Sequence, residues 1–372
     1  MKLVLAGGGT GGHIYPGLAI AEAFRDDATF APLDVLFVGT RDRLEAQIVP
    51  KAGVPIAFVH AAPLARKLSF SLARTLAANA AGFVESLAIL HRAKPDVLIA
   101  TGGYVALPVV AALRFVRLLG RTKAKIALLE PNAVAGITNR LLAPLVDEVW
   151  YATAPTRALR SRELVVGTPV RSSMRRAMDP AAARVALGLA PEKTTIVAIG
   201  GSLGAASIND AVATLAEAGV PAGWQFAVIA GARDYDALRA RLAGRADVVV
   251  LPYLDDPRSA FASADLVVAR AGASTLAELA ATGTPALLVP YPHATADHQR
   301  YNAEAYARSG AARVVADREL DAERLRRELV SMLAEEPYAR LRAAARALAD
   351  TDPRAVITAR VKRLLSSNSA PP

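Results

Sequence analysis

The sequence contains no cysteine, which removes disulfides, thiolate metal sites and cysteine nucleophiles and fits a reducing compartment. Aromatic residues are scarce at 5%, so the stacking platforms that hold single-stranded nucleic acid are missing near the basic residues. Long apolar runs are missing too. The most apolar stretch, residues 97 to 113, is broken by Gly102, Gly103 and Pro108 and stops at Arg114, whereas a membrane span needs about 20 apolar residues. Met1 runs straight into the apolar Leu3–Ala6 with no charged region ahead of a separate apolar block, and no signal peptide is expected. Acidic side chains nearly vanish from one segment: residues 66 to 125 carry ten basic side chains and two acidic ones, Glu85 and Asp96.

What is present is a chain of 372 residues, 53% hydrophobic, long enough for two domains with packed cores. Its net charge of +10 is uneven, with 19 Lys+Arg against 12 Asp+Glu in residues 1–165 and 25 against 22 in residues 166–372. A basic face of this kind suits nucleic acid, anionic lipid or a phosphorylated substrate, and equally a merely solvated surface. Twelve short apolar runs alternate with amphipathic segments of helical length. The first series is Leu3–Ala6, Val35–Val38, Ile56–Val59, Val97–Ala100, Ile126–Leu129 and Glu148–Tyr151. The second is Thr195–Ile199, Phe226–Ala230, Val248–Leu251, Leu266–Ala269, Ala286–Val289 and Arg313–Val315. Repeated βαβ units of this type predict an α/β chain with two parallel, doubly wound sheets. The break is expected near Glu163–Gly167, and Asp352-Pro353 reads as the N-cap and first residue of a final helix.

Three small-residue loops follow strands. Gly7 to His13 satisfies G-x-G-x-x-G, but the second strand ends Phe37-Val38-Gly39-Thr40-Arg41 without the acid that binds a dinucleotide ribose, which disfavours a nicotinamide cofactor. What remains is a loop without side chains at a helix start, able to approach a phosphate or sugar. Gly200 to Ala205 repeats the arrangement, and Arg270 to Glu278 opens another helix whose first amides could take a diphosphate. Asp234-Tyr235-Asp236 is a literal D-x-D, but it opens an amphipathic helix and is expected to cap it. His293, Asp297 and His298 are a weak metal pattern; no metal is expected. His13, at a helix start whose dipole opposes protonation, is a candidate general base, with capping of its own loop as the plainer role. Glu130 and Tyr104 are the alternative catalytic candidates.

Gly8 to His13, Gly102-Gly103-Tyr104, Glu130-Pro131-Asn132 with Thr138-Asn139, Gly167 to Arg171, Gly200-Gly201-Ser202, residues 270–278 and Pro290 to Asn302 together resemble the MurG family of UDP-N-acetylglucosamine transferases. The motifs occur in order over nearly the whole chain. Thr168 and Leu203 stand where that family usually carries Asn and Gln. The resemblance implies a GT-B fold: two facing Rossmann-like domains, residues 1–165 for acceptor and membrane and 166–349 for UDP-GlcNAc, with a C-terminal helix, 350–366, crossing back to the first. It implies an inverting, metal-independent transfer of N-acetylglucosamine to the 4-OH of N-acetylmuramic acid, converting lipid I to lipid II, without a cofactor. On the donor, it implies Thr10, Gly11 and Gly12 closing from the first domain, and Ser202 with Ala273, Ser274 and Thr275 at the diphosphate beside Arg270. It places the Leu254 backbone at uracil, Glu278 at ribose, and Arg171, Asn132 and Gln299 at the phosphate or sugar.

The basic segment then gains a reading. Arg114, Phe115, Arg117, Leu118 and Arg121, with Arg66, Lys67 and Arg74, are expected to sit on the anionic inner leaflet, making the protein peripheral on the cytoplasmic face of the membrane. Cell-wall or division proteins are conceivable partners, and nucleic acid is not expected. Three other readings stand beside this one: a GT-B transferase acting on another lipid, a UDP-GlcNAc epimerase of similar architecture, and a non-catalytic nucleotide or nucleic-acid binder.

Overall fold

Apolar residues occupy consecutive rather than alternate positions in the strand candidates, which is what a sheet covered on both faces requires. A computed structural model describes residues 1–63, 70–159, 163–201, 204–254 and 256–366. It contains two compact units, residues 1–172 with 352–372, and residues 173–351.

The first unit carries β1 (Lys2–Gly7), β2 (Asp34–Gly39), β3 (Ile56–Phe58), β4 (Val97–Gly102), β5 (Lys125–Glu130), β6 (Glu148–Tyr151) and β7 (Leu164–Val165). They form a parallel sheet in the order β3-β2-β1-β4-β5-β6-β7. Alternate residues serve two cores: Leu3 and Leu5 of β1 and Val97 and Ile99 of β4 enter one, and Val4, Ala6, Leu98 and Ala100 enter the other. The final helix, Pro353–Ser366, joins the first of these cores through Ile357, Val361 and Leu364, spaced along one helical face. Burying three such side chains contributes on the order of 5 kcal/mol. Asp352 caps this helix through the Arg354 amide at 3.0 Å. Arg360 pairs with Glu148, Arg354 with Asp26, and Lys362 with Asp27 at 2.7 Å. The hydrogen bond from Lys362 foremost, with those from the Thr29 hydroxyl and amide, holds the Asp27 carboxyl down at about 2.

The second unit has β8 (Thr194–Ile199), β9 (Trp224–Ile229), β10 (Val248–Leu251), β11 (Leu266–Ala269), β12 (Ala286–Leu288) and β13 (Ala312–Val314). These are parallel in the order β10-β9-β8-β11-β12-β13. Its core gathers Ile196, Val212, Phe226, Val268 and Leu329 from strands and covering helices.

All twelve strands read from the sequence are present, with ends shifted by a residue or two. β7 is the addition. Two residues are too few for a period, and Leu164 and Val165 become a strand only by pairing with Trp150 and Tyr151. The change of unit falls between Ser172 and Ser173, beyond the 165/166 division read from the sequence. The reason is local: the Val166 amide donates to the Tyr151 carbonyl at 2.8 Å, and Ser172 donates to Glu22 through its amide and hydroxyl, both at 2.7 Å.

Candidate active site

In each sheet the strand order reverses once, between β1 and β4 and between β8 and β11, and loops leaving such neighbours diverge to open a crevice at the carboxyl edge. In the first unit the crevice lies between Gly7–Gly12 and Thr101–Tyr104. His13, on the first turn of helix Gly11–Asp26, reaches across it. Its Nδ1 lies 2.8 Å from the Thr101 carbonyl, while the Thr101 hydroxyl donates to the His13 carbonyl at 2.6 Å. A carbonyl oxygen only accepts, so Nδ1 carries the proton, and the neutral ring has its lone pair on Nε2. Gly102 and Gly103 make the space. Both are left-handed, at φ +97° and +78°, and a Cβ on Gly102 would stand 2.9 Å from the imidazole.

Two carboxylates brace this crevice from beneath. Glu45, which the sequence reading overlooked, is fully buried. It accepts hydrogen bonds from the Gly9 amide at 3.1 Å, the Thr40 amide at 3.1 Å and the Thr40 hydroxyl at 2.6 Å. An acid therefore does stand beside the end of β2, but it is spent on the loop. Glu130 at the end of β5 is also buried. Its oxygens accept from the Asn132 amide (2.9 Å) and side chain (3.2 Å), the Gly136 amide (3.1 Å) and the Asn139 side chain (2.8 Å). Burial pushes its carboxyl up, against the pull of these donors. The catalytic candidacy of Glu130 is thereby corrected, because both oxygens are occupied in shaping the 131–136 turn. Tyr104 is half-buried with its ring edge 2.9 Å from where a Gly9 side chain would begin, so it walls the loop. Thr10 is exposed as the N-cap, its carbonyl taking the His13 amide at 3.1 Å, and Gly11 and Gly12 form the first turn. Arg171 belongs to this unit rather than the second, with its guanidinium 5.4 Å from the Tyr15 ring centroid.

In the second unit, the crevice between β8 and β11 is flanked by Gly200, Gly201 and Gly204 and by helix Ala273–Thr282. No side chain caps that helix. The half-exposed Ala273, Ser274 and Thr275 therefore present first-turn amides with the positive end of the helix dipole. Glu278 lies one turn further on, also half-exposed. Arg270 requires correction as a ligand-facing cation. It is 9% exposed and donates to the Val289 and Pro290 carbonyls, Ser207 and Asp317. These bonds tie β11 to the segment after β12. The Gln299 side chain accepts the Tyr291 amide at 3.0 Å, and Leu254 is half-exposed past β10. Ser202 lies outside the described residues, as do Arg66 and Lys67. Asp234 is not the side-chain cap expected of it: its carboxylate takes Arg233 at 2.8 Å and Asn209 at 3.1 Å.

The two halves of the chain match the domains of one enzyme family. Residues 3–151 match the glycosyltransferase family 28 N-terminal domain, and residues 195–356 its C-terminal domain. A protein of Moorella thermoacetica named UDP-N-acetylglucosamine–N-acetylmuramyl-(pentapeptide) pyrophosphoryl-undecaprenol N-acetylglucosamine transferase is 40% identical over 348 residues, 90% of each chain. The chain belongs to the MurG family. The crystal structure of Acinetobacter baumannii MurG matches with a TM-score of 0.73 at 26% identity, covering 98% of this chain and 99% of that one. A UDP-GlcNAc 2-epimerase from Neisseria meningitidis also matches, at a TM-score of 0.61 and 11% identity over 98% of this chain and all of its own; that likeness is one of fold.

Membership of the MurG family bears on the remaining surface. Among the described residues, no three His, Asp or Glu side chains gather as metal ligands, and no helix is long and apolar enough to cross a membrane. Helices Phe70–Ala93 and Ala106–Leu118 pack together through Phe83 and Phe115, whose ring centroids are 5.8 Å apart. They leave Leu76, Val84, Phe115, Leu118 and Leu119 exposed, near exposed Arg74, Arg121 and Lys123 and half-exposed Arg114. Arg117 is corrected as a surface cation. Its two terminal nitrogens hold Asp147 at 2.7 and 3.0 Å, fastening its helix to the start of β5, whose Ile126 amide uses the same carboxylate.

Proposed function

We propose that the chain transfers N-acetylglucosamine from UDP-GlcNAc to the 4-hydroxyl of N-acetylmuramic acid in lipid I, with inversion at the anomeric carbon. Family membership carries the reaction class. The observation that carries the chemistry is the tautomer of His13, whose Nδ1–H is taken by the Thr101 carbonyl, so that Nε2 is the basic position. On this reading the first unit takes the acceptor, and Nε2 removes the hydroxyl proton as the oxygen attacks the anomeric carbon. The second unit takes UDP. The amides of Ala273, Ser274 and Thr275, at the positive end of their helix, offset the charge that grows on the departing diphosphate. Glu278 serves the ribose, the Leu254 backbone the uracil, and Ser202 the diphosphate. Thr10, Gly11, Gly12, Asn132, Arg171 and Gln299 serve the phosphates or the transferred sugar. Tyr104 lines the acceptor side, while Glu45, Glu130 and Arg270 act through the backbone they hold. The exposed apolar patch and its rim of cations support a peripheral seat on an anionic membrane surface, where the lipid acceptor resides.

The test is transfer of labelled N-acetylglucosamine from its UDP donor to a short-chain lipid I analogue, with a chelator present. Product is expected, and His13→Ala should lower turnover at saturating substrate by 10²-fold or more, the order of a lost general base. Near-normal turnover in His13→Ala would remove the base assignment. Absence of any product with UDP-GlcNAc still bound would remove the acceptor assignment.

A further inference from the structure

At the amino edge of the second sheet, the end of β11 away from the first turn of helix Ala273–Thr282, a cavity of about 400 Å³ opens. Arg175, Arg176, Arg184, Arg258, Arg342 and Arg346 line it against one carboxylate, Asp265. That carboxylate is already spent. Arg184 and the Thr195 amide hold one oxygen, both at 2.8 Å, and the Tyr338 hydroxyl lies 3.3 Å from the other. Arg342 and Arg346 stand one turn apart on helix Glu335–Ala349, with the Arg342 guanidinium 5.6 Å from the Tyr338 ring centroid. The buried Nε–H of Arg258 has no acceptor among the described residues, a state that costs free energy unless a ligand supplies one.

Arg175 is engaged by the Thr351 and Ala349 carbonyls and Arg184 by the Ser263 and Pro191 carbonyls, and capping of helix Ala273–Thr282, whose last residues also line the cavity, does not explain the other four arginines. Three carbonyls of its last turns are served locally: Leu279 by the Thr284 amide at 3.1 Å, Ala280 by the Gly283 amide at 3.3 Å, and Glu278 by the Thr282 hydroxyl at 2.9 Å. A cationic cavity with planar guanidinium donors and an unused buried N–H selects a compact, multiply charged oxyanion. β11 holds four residues, which at roughly 3.3 Å each set the cavity more than a strand's length from the amides assigned to the donor. We propose that this cavity is a second anion site that binds a phosphate group, free or on a lipid headgroup.

The test titrates inorganic phosphate into the full chain at constant ionic strength, with saturating UDP present to occupy any diphosphate site elsewhere, and follows heat or ³¹P line width. One saturable phosphate is expected, weakened roughly tenfold or more in R342Q/R346Q while UDP affinity is unchanged. Both side chains are exposed, so this variant should fold, and R258Q provides a second reading from the buried side. Vesicles of phosphatidylcholine with phosphatidic acid distinguish the source. Phosphate displacing wild type but not R342Q/R346Q from them identifies a headgroup, and vesicle binding indifferent to the substitutions identifies free phosphate. No saturable binding to wild type at millimolar phosphate, or equal binding by R342Q/R346Q, overturns the proposal.

Discussion

Glu45→Ala should cost the first unit more than a surface change would and should also disturb the reaction. The carboxylate has no exposure and accepts from two backbone amides, Gly9 and Thr40, and from the Thr40 hydroxyl. Truncation leaves both amides buried without an acceptor, at about 1–3 kcal/mol each, while the hydroxyl can rotate to another partner. Relief of the cost of burying a charge works the other way. The net loss should be about 2–4 kcal/mol. Glu45→Gln keeps the volume but turns one terminal atom into a donor that must face an amide, so it should lose about 1–2 kcal/mol. The two tryptophans fall one in each unit, Trp150 fully buried in the first and Trp224 partly buried in the second. In a Trp224→Phe background, urea unfolding followed by Trp150 fluorescence therefore reports the first unit alone. The loop that Glu45 braces runs into His13, so kcat should fall further than KM rises. Rescue of kcat by Gln in part would separate positioning from bulk destabilisation. A Glu45→Ala protein within about 0.5 kcal/mol of its parent, the range of a neutral surface change, would refute this account.

Gly102→Ala places a methyl 2.9 Å from the His13 ring at φ +97°; a displaced base should cost about 10²-fold in kcat, and unaltered kcat would show that the ring tolerates the shift. Glu130 has a raised carboxyl pKa in the folded state, burial being the main cause. Its folded form binds more protons than its unfolded form between the ordinary value of 4.5 and the raised one. Its contribution is greatest at low pH and is lost as pH rises through that window; Glu130→Gln should flatten this part of the stability profile, and a persisting slope in urea titrations would place the proton elsewhere. Arg114→Glu with Arg121→Glu should weaken binding to anionic vesicles roughly tenfold or more at low salt, whereas Arg117→Ala should act on stability through Asp147. Vesicle binding unaffected by the pair would remove the membrane seat from this face.

The fold was legible because its signal is local. A parallel strand buried on both faces is a short apolar run, and a segment of helical length follows most of them, so twelve of the thirteen strands among the described residues stand out. β7 does not, because pairing rather than composition makes it a strand. The glycine loops were legible for a similar reason: Gly102 must adopt a conformation that few other residues tolerate. The fate of charged side chains was not legible. Arg270, Arg117 and Glu130 each carry the chemistry of a site; the first two are consumed by partners distant in sequence, Asp317 and Asp147, and Glu130 by the turn that follows it, through Asn132, Gly136 and Asn139.

The same logic recurs in the second unit and explains why a glycine motif alone says little about a ligand. A Cβ on Gly204 would stand 2.3 Å from the Ala230 carbonyl, and Asn209 joins that carbonyl to Asp234 at 3.0 and 3.1 Å. In the first unit a Cβ on Gly8 would stand 2.4 Å from the Glu45 carboxylate. Each loop thus lacks a side chain partly because a polar brace from a following helix or loop presses against it. The brace can come from many sequence positions, as Glu45 and Asn209 do. The loop is conspicuous in the sequence, while the residue that fixes its shape becomes visible only when the strands are laid side by side.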